Sequence, residues 1–75
     1  MNKDRRKRLR DLCAEARQLL DRLDAIQQEE QEAVDNTPEG LQNTDRFAMM
    51  EQAAETLEEE SNNLLDIIES LEDML

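Results

Sequence analysis

Histidine, tryptophan and tyrosine are absent from this 75-residue chain, and cysteine, proline, glycine and phenylalanine occur once each. Without histidine, the chain lacks the usual base of serine and cysteine catalytic triads and a common zinc ligand. The single cysteine, Cys13, excludes an intrachain disulfide. No glycine-rich phosphate loop or metalloprotease motif is present. We therefore expect a protein that is not an enzyme and that uses no cofactor or metal.

Long apolar runs are also missing from the sequence. No segment approaches the roughly 20 apolar residues that cross a bilayer, and no apolar signal-peptide core follows the basic residues 3–10. A lone cysteine is typical of a reducing compartment. We expect a cytoplasmic protein that makes no contact with membranes.

Acidic residues dominate what is present. Twenty acids and nine bases give a formal net charge of −11, and their distribution is uneven. Residues 1–10 carry a net +5, whereas residues 11–75 carry a net −16. Such a negative chain repels nucleic acid. We expect no direct nucleic-acid binding, and favour a protein partner with a basic surface.

Apolar or small residues recur in steps of three and four along both halves, the pattern of two amphipathic helices. The first series comprises Leu9, Leu12, Ala16, Leu19, Leu23, Ile26 and Ala33, with Cys13, Leu20 and Val34 at its edge. The second comprises Phe47, Met50, Ala54, Leu57, Ser61, Leu64, Ile68, Leu71 and Leu75. We predict an all-α fold in a single domain, residues 1–75. It is an antiparallel two-helix hairpin, coiled-coil-like, with helix 1 at about 3–35, a loop at about 36–43 and helix 2 at about 44–74.

The loop contains the only proline and the only glycine. Pro38 favours one short helical turn, Gly40 can take a positive φ and stop it, and Thr44 or Asn43 is expected to cap helix 2. If the chain reverses direction at Gly40, each residue of helix 1 lies opposite a residue of helix 2, and their two numbers sum to roughly 80. This register places the basic start of helix 1 beside the acidic end of helix 2, so we expect the two clusters to neutralise each other.

Two helices cannot cover all of this apolar surface. Near the open end of the hairpin, helix 2 carries seven apolar residues over a wide arc: Leu64, Leu65, Ile67, Ile68, Leu71, Met74 and Leu75. An apolar patch of this size is unusual on a monomer. We expect a homodimer or higher homo-oligomer, most simply a two-fold dimer that forms a four-helix bundle.

Three candidate functions are compatible with the charges and the helical pattern. In the first, carboxylates spaced three or four residues apart on helix 2, together with the loop, bind a basic protein surface through Glu39, Leu41, Glu51, Glu55, Glu58 and Glu59. The same carboxylates also fit an ordinary solvated face. In the second, a nucleotide or other phosphate ligand is held between subunits by Arg5, Arg6, Arg8 and Arg10. The third is a structural coiled-coil component of a larger assembly.

One part of the chain resembles known sequences. The run Asp35-Asn36-Thr37-Pro38-Glu39-Gly40-Leu41-Gln42, followed by Thr44-Asp45-Arg46-Phe47 and a glutamate-rich helix, resembles small uncharacterised α-helical proteins encoded by bacteriophages and prophages. The resemblance implies a phage or bacterial origin and a bacterial cytoplasm. It also implies an accessory role directed at the host, such as inhibition of a nucleic-acid-binding or defence protein.

Overall fold

The computed structural model describes residues 1–75 and consists of two long helices that pack against each other. Helix α1 spans Lys3–Asp35, a short 3₁₀ turn spans Glu39–Leu41, and helix α2 spans Asp45–Glu72. The all-α hairpin is therefore confirmed. Helix α1 occupies the residues expected for it, while α2 begins one residue later and ends two residues earlier than expected.

Polar side chains cap the beginnings of both helices. The Asn2 carboxamide oxygen accepts a hydrogen bond from the Arg5 amide at 2.8 Å, and the Thr44 hydroxyl accepts one from the Phe47 amide at 3.2 Å. Each cap satisfies an amide that has no partner within its own helix. The residue that caps α2 is Thr44, one of the two residues expected to do so.

Hydrogen bonds hold the loop between the helices in one conformation. The Pro38 carbonyl accepts from the Leu41 amide at 2.9 Å, which closes the 3₁₀ turn, and the Gln42 side-chain amide donates to the Thr37 carbonyl at 3.1 Å. Gly40 lies inside this turn, and no residue has a positive φ. Gly40 therefore does not stop the turn with a positive φ, because a 3₁₀ turn requires negative φ at each of its residues.

The core between the helices is small. Only five of the 75 residues are buried: Cys13, Leu20, Ala54, Ser61 and Ile68. In α2 the residues that face α1 are those of the series found in the sequence. In α1 only part of the series faces α2. Leu9, Ala16 and Leu23 are half-buried, whereas Leu12, Leu19 and Ile26 are more than half exposed, and Cys13 and Leu20 are buried instead. Both residues of the pairs Leu12–Cys13 and Leu19–Leu20 are apolar, so a seam through either member keeps the heptad spacing. In the structure the second member of each pair faces α2.

The register of the two helices also differs from the expected one. Arg17 bonds to Glu72, whereas a fold about Gly40 would place Asn63 opposite Arg17. Val34 and Ala54 line one groove, and the midpoints of both pairs lie at residues 44–45. The end of α1 therefore lies beside Ala54, and the first turns of α2 run past it.

The hairpin is a rod of 59 × 14 × 13 Å. A rod of two helices has much surface and little interior, which explains why so many apolar side chains stay exposed. Neither helix combines the length and the apolar character that a membrane span requires.

Candidate functional site

The loop half of the hairpin contains a groove with a carboxylate-rich wall, here called the acidic groove. It is lined by Gln31, Val34, Glu51, Ala54, Glu55 and Glu58. The small side chain of Ala54 leaves space between the helices, and that residue is itself 2 % exposed. The structure thus brings together three of the carboxylates that the sequence nominates for partner binding. Glu59 is exposed on the same helix but does not line the groove.

These carboxylates have no cation within their own chain. The structure contains two ion pairs, Asp4 with Arg8 at 3.7 Å and Arg17 with Glu72. Glu51 and Glu55 lie four residues apart, as do Glu55 and Glu59, and like charges at this spacing destabilise a helix by about 0.2–0.5 kcal/mol each. A bound cationic group would remove this repulsion.

A second groove lies at the tip of the hairpin, next to the acidic groove along α2. This tip groove has a volume of about 390 Å³ and is lined by Asn36, Thr37, Pro38, Leu41, Thr44, Arg46, Phe47 and Met50. Leu41, which the sequence nominates as a contact, is 55 % exposed at its edge. Glu39 is exposed on the 3₁₀ turn but does not line the groove.

The basic start of α1 is not neutralised by α2. Arg5, Arg6 and Arg10 have no carboxylate within 4 Å, and Arg8 pairs only with Asp4 on its own helix. Three residues follow Glu72, whereas α1 continues for fourteen residues before Arg17, so its first turns extend past the end of α2. The expected mutual neutralisation of the two ends is therefore wrong, and the displaced register is the cause. None of these arginines lines the acidic groove or the tip groove.

The seven apolar residues predicted for the oligomer interface differ in their exposure. Ile68 is 1 % exposed and belongs to the core of the hairpin. Leu64, Leu65 and Leu71 are half-buried, while Ile67, Met74 and Leu75 are exposed. Only the exposed residues are fully available to a second chain.

The heptad series predicts that Leu12, Leu19 and Ile26 lie in the hairpin core, whereas the structure exposes all three. Each precedes an inward-facing residue of α1 by one position, as Ile67 precedes Ile68 in α2. In two antiparallel helices, residues that precede an inward-facing residue by one position lie on the same side of the plane that contains both helix axes. We call Leu12, Leu19, Ile26, Ile67 and Met74 the apolar stripe.

The Arg17–Glu72 pair occupies the other side of the hairpin. Each residue follows a buried one by four positions, Arg17 after Cys13 and Glu72 after Ile68. The hydrogen bond from Arg17 lowers the pKa of Glu72 below its ordinary value, and the same bond raises the pKa of Arg17. Opposite charges at these two heptad positions were the sequence signal for this contact, but only the correct register pairs them.

The acidic groove does not resemble a metal centre, because no group of three or more acidic, cysteine or histidine side chains is placed to hold an ion. Comparison of the chain with protein-family models, with curated proteins and with solved structures finds no match in any of the three. Its function is therefore argued from its own residues.

Proposed function

We propose that this protein is a non-enzymatic binding protein that self-associates as a dimer of hairpins and engages a basic surface on a partner protein. The acidic groove carries this proposal. Glu51, Glu55 and Glu58 line it together without any cation from their own chain. Glu59 on α2 and Glu39 and Leu41 on the 3₁₀ turn are exposed, and we include them in the same proposed contact.

Electrostatic complementarity is what a partner gains at this surface. Residues 24–60 contain twelve acids and one base, Arg46, so the field over the loop half attracts basic surfaces and repels nucleic acid. The loop resembles that of phage-encoded proteins, which favours a bacterial host protein as the partner and the bacterial cytoplasm as the location. A host factor that binds nucleic acid offers the required basic surface.

A pull-down from bacterial lysate tests the acidic groove. We expect the protein to retain a specific partner at low ionic strength and to lose it as salt is raised, because exposed charges are screened. The variant Glu51→Gln, Glu55→Gln, Glu58→Gln should lose the partner. A control variant with the same change in charge, Asp11→Asn, Asp66→Asn, Asp73→Asn, alters exposed carboxylates outside the groove and should keep it. Equal recovery by both variants would overturn the proposal.

The arginines at the start of α1 support a second candidate function, the binding of a phosphate ligand. Three of them, Arg5, Arg6 and Arg10, lack a carboxylate partner in the chain. A thermal shift with ATP and with inorganic phosphate separates the two functions. Stabilisation that disappears in Arg5→Gln, Arg6→Gln would support ligand binding, and the absence of any shift would exclude these two ligands.

A further inference from the structure

The apolar stripe on α1 has a regular spacing that points to a helical occupant. Leu12 and Leu19 are each 55 % exposed and Ile26 is 52 % exposed, and the three lie seven residues apart. Seven residues are close to two helical turns, so the side chains form one line along the helix. Nothing in the hairpin covers this line.

A line of alternating charges runs beside the apolar one. Arg8, Glu15, Arg22 and Glu29 are also seven residues apart, and all four are exposed. Each of the first three precedes a member of the stripe by four positions, which places it on the same side of the helix. Glu15, Arg22 and Glu29 have no ion-pair partner within the chain.

We propose that the occupant is a second copy of this chain, with its α1 antiparallel to the first and a two-fold axis beside Leu19. This proposal deepens the self-association included in the proposed function. Around such an axis, residues of the two α1 helices that face each other have numbers summing to about 38. Leu12 then packs beside Ile26 of the second copy, and Leu19 packs beside its own equivalent.

The alternating charges select this orientation. The antiparallel arrangement brings Arg8 beside Glu29 of the second copy, and Glu15 beside Arg22. Because the axis is two-fold, each pair occurs twice. If the two α1 helices ran parallel instead, Arg8 would face Arg8 and Glu15 would face Glu15. Complementary charges determine register and orientation in helical dimers more than they determine affinity.

The antiparallel second copy also explains why the charge is uneven along α1. The basic residues 3–10 lie opposite residues 28–35 of the second copy, which contain Glu29, Glu30, Glu32 and Asp35. Bases at the beginning of a helix and acids at its end both oppose the helix dipole. The second copy supplies the opposite charge at each end, which α2 does not.

The dimer leaves the acidic groove open. Glu51 and Glu58 occupy the same heptad position as Glu72, so the groove lies on the side of the Arg17–Glu72 pair. The apolar stripe lies on the opposite side of the hairpin. Two copies joined through the stripe therefore present two acidic grooves outward, one on each chain.

Site-specific cross-linking tests the orientation. Starting from Cys13→Ala, a single cysteine is introduced as Leu12→Cys, Leu19→Cys or Ile26→Cys, and each variant is treated with a thiol cross-linker that spans about 8 Å. We expect Leu19→Cys to cross-link to itself. Residue 12 and its equivalent are separated by about 21 Å along the axis, so Leu12→Cys and Ile26→Cys should cross-link only when the two variants are mixed. Gln18→Cys, which lies on the outward side of α1, is the matched control and should remain uncross-linked.

Each alternative arrangement gives a different result. Self-cross-linking of all three stripe variants would indicate parallel α1 helices and would overturn the proposal. Failure of Leu19→Cys to cross-link, in a sample that sediments as a dimer, would show that the interface lies elsewhere. A sample that sediments as a folded monomer would exclude the dimer, while binding of a basic partner through the acidic groove would be decided separately by the pull-down.

Charge reversal provides a second measurement that needs no cysteine. Arg22→Glu alone should weaken the dimer about tenfold, since it changes two attractive contacts into repulsive ones. Adding Glu15→Arg to the same chain swaps the charges of both pairs and should restore the dissociation constant to within about twofold of the original. If the double variant is weaker than the single one, Glu15 does not face Arg22 and the proposed register is wrong.

Discussion

Arg17 of α1 donates two parallel hydrogen bonds to Glu72 of α2, from Nε to Oε2 at 3.0 Å and from Nη2 to Oε1 at 2.6 Å. It is the only ion pair that joins the two helices. A two-pronged contact between a guanidinium and a carboxylate is directional. The pair therefore marks the register of the hairpin more clearly than any apolar contact does.

The stability of the hairpin should depend on the protonation of Glu72. Its pKa is lowered from 4.5 in the fold, chiefly by the hydrogen bond from Arg17, so the folded state binds this proton less tightly than the unfolded state does. The contribution of the pair is then complete above about pH 4.5 and is lost as the pH falls through the lowered pKa. The difference in melting temperature between the original protein and Glu72→Gln should be positive at pH 7 and shrink as the pH falls below 4.5.

Glu59→Gln is the control for this measurement, because Glu59 is an exposed carboxylate without a cation partner. Its melting temperature should not fall below that of the original protein at pH 7. The absence of any difference between the original protein and Glu72→Gln at pH 7 would show that the ion pair does not contribute to stability.

Ser61 should be a point of weakness in the core. Its hydroxyl is buried on the side of α2 that faces α1 and has no hydrogen-bond partner. A buried polar group without a partner costs about 1–3 kcal/mol, so Ser61→Ala should raise the free energy of unfolding in urea. Ser70→Ala, at an exposed position of the same helix, measures the gain from helix propensity alone. A Ser61→Ala gain no larger than the Ser70→Ala gain would contradict the structure.

Gly40→Ala should be tolerated, although glycine in a loop often is not replaceable. Gly40 has no positive φ, and a β-carbon at this position would meet no atom within 4 Å. Replacing glycine where the conformation suits alanine stabilises by about 0.4–1 kcal/mol, because the unfolded chain loses freedom. Thermal denaturation should show a small increase in melting temperature. A clear decrease would mean that the 3₁₀ turn is not the conformation of the loop in solution.

Two adjacent isoleucines should separate folding from self-association. Ile68 is 1 % exposed and Ile67 is 57 % exposed. Ile68→Ala removes a core side chain and should destabilise the hairpin by about 2–5 kcal/mol. Ile67→Ala should leave helicity by circular dichroism intact and raise the dissociation constant of the dimer. Equal effects of the two substitutions on unfolding would contradict the placement of either residue.

The sequence predicts where the helices and the loop lie more reliably than it predicts how the two helices pack against each other. Pro38 and Thr44 mark where one helix has ended and the next begins, and these are local signals that neighbouring residues are sufficient to determine. The heptad series of α2 continues from Phe47 to Leu71 with only Ser61 polar, and Ala54, Ser61 and Ile68 are buried as this series predicts. For these elements, the sequence and the structure agree.

The register, and the choice of which α1 residues face α2, were not predictable from the same signals. At Leu12–Cys13 and Leu19–Leu20 two neighbouring residues are both apolar, so the periodicity alone does not decide which of them faces α2. A heptad pattern also permits sliding by a full repeat without exposing its seam. The acidic residues predicted for partner binding are exposed. Three of them line a groove because the register brings Ala54 and Val34 together.

Sedimentation equilibrium at micromolar concentration measures whether a second chain covers the apolar stripe that the hairpin leaves exposed. We expect a species of twice the 8.8 kDa chain mass, which converts to single helical chains in Leu19→Asp. A fully helical protein that sediments as one chain at that concentration would contradict this expectation.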